Sequence, residues 1–225
     1  MHQTFCAPAR EEEILVALKK NEIDAVILCF VENEKQVIEA YAEHGLIISS
    51  NDTKQTSKIS NFHFDEYQIG KTATEFLIQK GCSNVAICMD NPFNHAQKLR
   101  LSGYKKALKK HSLTYNEGYV FSSAFTIDDG MKIGRNIKKM YPNIDGIYTG
   151  NDYVSAGIQK VLEDKVVLIG TDNHDICKIT RPQLSSIALP VAQMSEDISN
   201  HVVECLLTSN KETLNQQYDF DLIVR

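Results

Sequence analysis

Short apolar runs alternate with longer stretches of helical spacing along most of the chain. The apolar runs predict strands at His2–Cys6, Ile23–Phe30, Leu46–Ser49, Asn84–Met89, Tyr119–Ser122, Gly146–Thr149, Val166–Ile169, Ser186–Leu189 and Tyr218–Val224. Between them, apolar residues recur at helical spacing at Ile69, Ala73, Phe76 and Leu77, and again at Leu99, Gly103, Ala107 and Leu108. This alternation predicts βαβ units with parallel sheets. Because each run is continuously apolar, we expect helices to cover both faces of the sheets.

The length and charge of the chain narrow the possible classes of protein. Its 225 residues suffice for one large α/β domain or for two lobes. No stretch approaches the roughly 18 consecutive apolar residues of a membrane span, so we expect no membrane partner. Because the formal net charge is −5, the chain as a whole does not attract nucleic acid. DNA binding would therefore require a separate basic module.

The six cysteines show no spacing typical of a zinc site or a redox dithiol. Most lie in apolar surroundings, as Cys29 and Cys88 do, where cysteine behaves as a small core residue. The first five residues lack the basic start and the apolar run of a secretory signal. Together these features predict a location in the reducing cytoplasm.

Enzyme motifs are absent from the sequence. It contains no Gly-rich phosphate loop, no nucleophile elbow and no His-Glu-x-x-His, and no two of its seven histidines are spaced i, i+4. His95 in a loop could act as a general base, but solvated or hydrogen-bonded loop histidines are far more common. We therefore expect no catalytic residue, no metal and no cofactor.

Polar residues follow several predicted strands, at the sheet edge where open α/β folds bind ligands. Arg100 lies in the helix after one strand, Asn151 and Asp172 follow two others, and Phe125 lies in a polar loop after a fourth. These groups suit a polyhydroxylated small molecule, because carboxylates and amides bind hydroxyls, a guanidinium binds two oxygens and an aromatic face stacks on a ring. Each also has a structural alternative: a helix N-cap for Asp152 or Asp172, a surface charge for Arg100, and a core position for Phe125.

From about Glu11 to Val203 the chain resembles the effector-binding core of the LacI/GalR family of bacterial transcription regulators. The resemblance rests on six segments in order: Asp65–Gly70, Gly81–Ala86, Leu99–Tyr104, Gly150–Asp152 with Ala156–Gly157, Val167–Asp172 and Pro182–Ile187. It implies an α/β fold of two flavodoxin-like lobes with parallel sheets flanked by helices, of the periplasmic-binding-protein-like type I. The amino lobe would comprise residues 1–63 and 190–218, and the carboxyl lobe residues 64–189 and 219–225, with crossovers near Phe64, Pro190 and Asp219.

The resemblance also implies roles for individual residues. By position, Arg100 matches the arginine that holds the effector, and Phe125 matches the stacking aromatic. Asn151 and Asp172 correspond to ligand contacts on the carboxyl lobe, and Asp65 corresponds to a contact near the first crossover. The family usually binds a sugar or a nucleobase between its lobes.

The chain departs from the family pattern at two places. Val191 stands where some members have a second aromatic residue. At the amino end, residues 1–7 already align with the second strand, so the helix-turn-helix head and the first strand–helix unit are lacking. We expect an incomplete amino lobe, and a chain that is part of a longer product. Without its neighbour, the Ile23–Phe30 strand would leave backbone groups unpaired, at about 1–3 kcal/mol each.

Two functions remain in view at this point. The favoured one is the effector-sensing domain of a sugar-responsive repressor, a cytoplasmic homodimer that reaches operator DNA only through the missing head. The alternative is a solute-binding protein of a sugar transporter, which shares the fold.

Overall fold

The computed structural model describes residues 2–4, 7–51, 58–91, 94–208 and 212–225. Its α-helices there are α1 Pro8–Lys19, α2 Lys35–Tyr41, α3 Glu66–Gln79, α4 His95–Lys110, α5 Ile127–Met140, α6 Asp152–Leu162, α7 Ile176–Ile179 and α8 Val191–Thr208. Its strands are β1 Ala25–Leu28, β2 Leu46–Ser49, β3 Ser60–Phe64, β4 Val85–Cys88, β5 Val120–Phe121, β6 Gly146–Thr149, β7 Val167–Thr171, β8 Ser185–Ala188, β9 Asn215–Tyr218 and β10 Asp221–Ile223. None of these helices is both long and apolar enough to cross a membrane.

Two compact units divide the chain. The first unit comprises Met1–Asp65 and Pro190–Asp219, and the second comprises Glu66–Leu189 and Phe220–Arg225. The breaks therefore follow residues 65, 189 and 219, compared with residues 63, 189 and 218 in the division expected from the sequence. Each unit has its own sheet and its own apolar core.

The first unit is built on a parallel sheet in the order β1-β2-β3-β9. Leu15 and Leu18 of α1 and Ile38 of α2 are fully buried against Val26 and Ile47 of the sheet. The strand β3 was not predicted. It is nonetheless internal, because it pairs with β2 on one side and β9 on the other.

The strand β1 is less buried than its sequence suggested. It lies at the edge of the sheet, where Ile27 is 46% exposed and Phe30, just beyond it, is 54% exposed. Cys29 is also exposed, so its predicted core position is wrong. A cavity of about 600 Å³ lies beside β1, and residues 2–4 also line it. Within the described residues β1 pairs with one strand, β2, and the incomplete amino lobe stays a prediction.

The predicted strands at the two chain ends are only partly found. Residues 2–4 are not in a strand, and the rest of the predicted His2–Cys6 strand, residues 5 and 6, lies outside the described residues. The single strand predicted at Tyr218–Val224 is two strands that belong to different sheets. Tyr218 ends β9 in the first unit, whereas Asp221 begins β10 in the second.

The second unit is built on a sheet in the order β10-β8-β7-β6-β4-β5, parallel except for β10. All residues of β4 and β6 are buried, as expected for strands covered on both faces. The helices α3 and α4 cross at very short range. A Cβ placed on Gly70 would lie 2.1 Å from the Arg100 carbonyl oxygen, and one placed on Gly103 would lie 2.0 Å from that of Tyr67. Because these glycines have no side chain, the Arg100 backbone can lie directly against α3.

Candidate functional site

The polar residues predicted to bind a ligand in the second unit follow neighbouring parallel strands. Asn151 comes two residues after β6, and Asp172 comes directly after β7, which pairs with β6. Arg100 lies in α4, the helix that follows β4 on the other side of β6. Because the carboxyl ends of parallel strands share one edge, the fold places these residues at the same edge of the sheet.

Arg100 is buried, with 7% of its surface exposed. Its Nε donates to Glu66 Oε2 at 2.5 Å, and its Nη1 donates to the Gly150 carbonyl oxygen at 3.2 Å. Burial lowers the pKa of Arg100, but the charge and hydrogen bond of Glu66, together with the charges of Tyr148 and Asp172, outweigh it, so that the pKa is raised overall. The guanidinium is thus a fixed cation. Its Nη2 makes no hydrogen bond to any residue that the structure describes.

Asp172 occupies an unusual backbone position. Its φ of 92° lies in a region that residues other than glycine rarely adopt, and its N–H donates to the Ile187 carbonyl oxygen at 2.8 Å. Such a conformation costs on the order of 1–3 kcal/mol and often marks a binding site. Burial raises the pKa of Asp172, while Arg100 and, more weakly, His174 lower it. The expected N-cap alternative does not apply, because no helix begins at Asp172.

Asn151 has a structural role as the N-cap of α6. Its Oδ1 accepts a hydrogen bond from the Val154 N–H at 2.9 Å, and its Nδ2 donates to the Phe125 carbonyl oxygen at 3.2 Å. The neighbouring Asp152 is fully buried and accepts hydrogen bonds from the His174 N–H and the Ser186 hydroxyl, both at 2.7 Å. Asp152 therefore holds the loop that carries Asp172, and the N-cap belongs to Asn151.

Phe125 lies in the loop before α5 with 51% of its surface exposed, so the alternative of a core position is wrong. A capping box follows it, in which the Asp129 N–H donates to the Thr126 hydroxyl and the Thr126 N–H donates to the Asp129 carboxylate. The Asn151 side-chain amide also donates a hydrogen bond to the Phe125 carbonyl oxygen. The ring is thus accessible on an anchored backbone, which suits stacking on a ligand.

Asp65 belongs to the first unit, whereas the other four predicted residues belong to the second. Its contact with a ligand stays a prediction. Val191, the departure from the family's second aromatic, is 46% exposed in the first unit.

Sequence reasoning missed four polar residues near Arg100. Glu66 begins α3, where its carboxylate resembles an ordinary first-turn acid, and no spacing signals its pairing with an arginine 34 residues away. Asp90 follows β4 and obeys the same strand-end rule as Asp172, so the sequence did contain that signal. The other two are Gln97 in α4 and Tyr148 in β6, which are 6% and 1% exposed.

Comparisons with known proteins identify the family. Residues 74–225 match the profile described as "Periplasmic binding protein-like domain". The NTD biosynthesis operon regulator NtdR of Bacillus subtilis is 32% identical over 223 residues, which cover 96% of this chain and 67% of NtdR. The chain belongs to the LacI/GalR family of transcriptional regulators. The resemblance inferred from the sequence is thereby confirmed, and this LacI/GalR chain spans about two thirds of the length of NtdR.

Solved structures confirm the α/β fold of this LacI/GalR chain. A LacI family regulator from Lactobacillus casei with bound sucrose superposes with a TM-score of 0.87 at 22% identity, covering 100% of this chain and 86% of that one. A LacI family regulator from Enterococcus faecium with bound ribose gives a TM-score of 0.82 at 19% identity, covering 96% and 83%. At these identities the likeness establishes the architecture, and the ligands are those of the two neighbours.

Proposed function

We propose that this chain is the effector-sensing domain of a bacterial transcriptional regulator and that its effector is a carbohydrate. The observation that carries the proposal is the fixed Arg100 guanidinium at the carboxyl edge of the second sheet, with Asp172 and the exposed Phe125 ring on loops that follow other strands of the same sheet. The named relative is a regulator, which favours this function over a solute-binding protein of a transporter. The sugars in the two structural neighbours support a carbohydrate ligand.

Each residue contributes a different contact in this proposal. Arg100 donates from Nη2 to ligand hydroxyls, and Asp172 accepts hydrogen bonds from them. Phe125 stacks on the apolar face of the sugar ring, while Asn151 positions the Phe125 loop. Asp65 would add a further contact with the ligand. No catalytic residue takes part.

Regulation would follow from a difference in affinity. An effector that binds one conformation of the domain more tightly than another shifts the population toward it, and this shift is the signal. Because NtdR is longer than the matched stretch, we propose that operator binding resides in a module outside this chain. We also propose that the protein acts as a homodimer. A regulator of transcription acts in the bacterial cytoplasm.

Thermal unfolding in the presence of ribose, glucose, sucrose, cellobiose and free nucleobases tests the proposal. At 100 times its Kd a ligand stabilises the folded state by about 2.7 kcal/mol, or roughly 5–10 °C for a chain of this size. We expect such a shift with a carbohydrate. Arg100→Lys, which keeps the charge but loses the planar fork, should abolish the shift. The exposed Arg135→Lys should retain it. Binding of a nucleobase instead of a sugar, or unchanged affinity of Arg100→Lys, contradicts the proposal.

A further inference from the structure

The carboxyl edge of the second sheet carries more negative than positive charge. We define the edge site as Glu66, Asp90, Arg100 and Asp172, together with the buried Gln97 and Tyr148. Arg100 is bonded to Glu66, and its charge also acts on both aspartates. The positive charge of one guanidinium group therefore acts on three carboxyl groups. His174 lies 3.8 Å from Asp172 and adds a positive charge only when it is protonated.

The two aspartates follow strands that lie on opposite sides of β6. Asp90 follows β4 and Asp172 follows β7, and the strand β6 pairs with both. Two strand spacings place their backbones about 10 Å apart. Burial raises the pKa of each carboxyl group, Arg100 lowers it and Glu66 raises it. Both carboxyl groups are partly buried and share the charge of one guanidinium. A second cation near them would therefore be electrostatically favourable.

An unsatisfied buried atom points to a ligand at the same place. Within the described residues, Gln97 Oε1 is buried without a hydrogen-bond partner. It lies 3.8 Å from the position of a Cβ on Gly150, whose carbonyl oxygen accepts from Arg100. The charges of Arg100, Glu66 and Asp172 act on the buried Tyr148, whose hydroxyl is within hydrogen-bonding reach of the Thr171 side chain. A buried amide oxygen is normally bonded, so Gln97 Oε1 lacks a donor.

We infer that the effector carries a protonated amine beside its hydroxyl groups, as an amino sugar does, and that Asp90 and Asp172 bind the ammonium group. An ammonium group supplies donors and a positive charge to a site rich in acceptors. A sugar phosphate would bring a further anion against three carboxyl groups. The inference rests on the proposed function and adds the chemical class of the sugar.

Calorimetric titration with matched sugars tests the inference. The probes are glucosamine and galactosamine, their neutral parents glucose and galactose, their N-acetyl derivatives, and glucose 6-phosphate, at a pH where the free amines are protonated. We expect an amine to bind at least about tenfold more tightly than its neutral parent and its N-acetyl derivative. Equal or tighter binding of the neutral or phosphorylated sugar overturns the inference and leaves the proposed function standing. If no probe binds, both fail.

Charge-neutralising variants test whether Asp90 and Asp172 cause the preference for an amino sugar over its neutral parent. Asp90→Asn and Asp172→Asn keep the shape of the side chain, and asparagine tolerates the positive φ at position 172. Each should reduce the ratio of amine to neutral-sugar affinity by about tenfold or more. Asp175→Asn removes the same charge from an exposed carboxylate that pairs with Lys178 and should leave the ratio unchanged. An unchanged ratio in both edge-site variants overturns the assignment of the ammonium position.

Discussion

The ion pair between Glu66 and Arg100 should be a main stabilising contact of the second unit, and Glu66→Gln tests it. The two side chains are 10% and 9% exposed, and their charged atoms lie 2.5 Å apart. Removing one partner of a buried pair costs about 3–5 kcal/mol, because the other charge is left buried and uncompensated. Glutamine still accepts one hydrogen bond from Arg100 Nε, so we expect about 3 kcal/mol, at the low end of that range.

Thermal and urea unfolding followed by circular dichroism provide the assay. For a chain of this length, 1 kcal/mol corresponds to about 2–4 °C, so the midpoint of Glu66→Gln should fall by roughly 6–12 °C. Glu117→Gln makes the same change at an exposed position of the same unit. Its free energy of unfolding should lie within about 0.5 kcal/mol of that of the parent chain.

A double variant separates the ion pair from general damage. Replacing both partners by apolar residues of similar size, as in Glu66→Leu with Arg100→Met, removes the charges together. Such replacements are often neutral or stabilising, so the double variant should be more stable than either single one. If the free energy of unfolding of Glu66→Gln lies within about 0.5 kcal/mol of that of the parent chain, Arg100 is solvated in solution and the explanation by a buried ion pair is wrong.

Three further predictions concern packing, pH and thiol reactivity. Gly70→Ala should destabilise the second unit by about 1–3 kcal/mol in urea unfolding, because its Cβ would meet the Arg100 carbonyl oxygen and the resulting strain exceeds the gain in helix propensity. Hydrogen bonds to the Asp129 carboxylate lower its pKa to about 2, so stability should fall as the pH drops from about 4 to 2, and Asp129→Asn should flatten this part of the profile. Cys29, the one exposed cysteine among those described, should react first with a thiol reagent in a Cys6→Ser background, and Cys29→Ser should abolish that fast phase.

Each of these predictions has a control or a contradicting result. Ser102→Ala on the exposed side of α4 should not change the urea midpoint. An unchanged acid limb in Asp129→Asn would show that the capping box does not form in solution. Burial raises the pKa of the Cys82 thiol to about 11 and that of Cys177 to about 12. Labelling of either before Cys29 would mean that the second unit opens readily.

The sequence predicted the fold well wherever a strand was a continuous apolar run. It failed at β3, where Asn61 and His63 interrupt the apolar pattern although β3 is paired on both sides. It also failed at Tyr218–Val224, because strand propensity does not register that the chain passes from one sheet to another after Asp219.

The candidate site was predictable where a residue follows a strand end. This rule found Asp172 and would also have found Asp90. The pairing of Glu66 with Arg100 was not predictable from the residues, because it depends on the close approach of α3 and α4 over Gly70. The positive φ of Asp172 is likewise a product of the folded loop, since even aspartate, which tolerates positive φ better than most residues, adopts it uncommonly.

The central claim is that a carbohydrate effector binds at the carboxyl edge of the second sheet. The most direct test is a titration of the isotope-labelled chain followed by ¹H–¹⁵N correlation NMR, using the tightest-binding sugar from the thermal screen. We predict saturable shifts of the Arg100 Nε–H signal and of the backbone amides at Asp90, Gly150 and Asp172. Saturable shifts confined to other parts of the chain, with these four signals unmoved, would contradict the account.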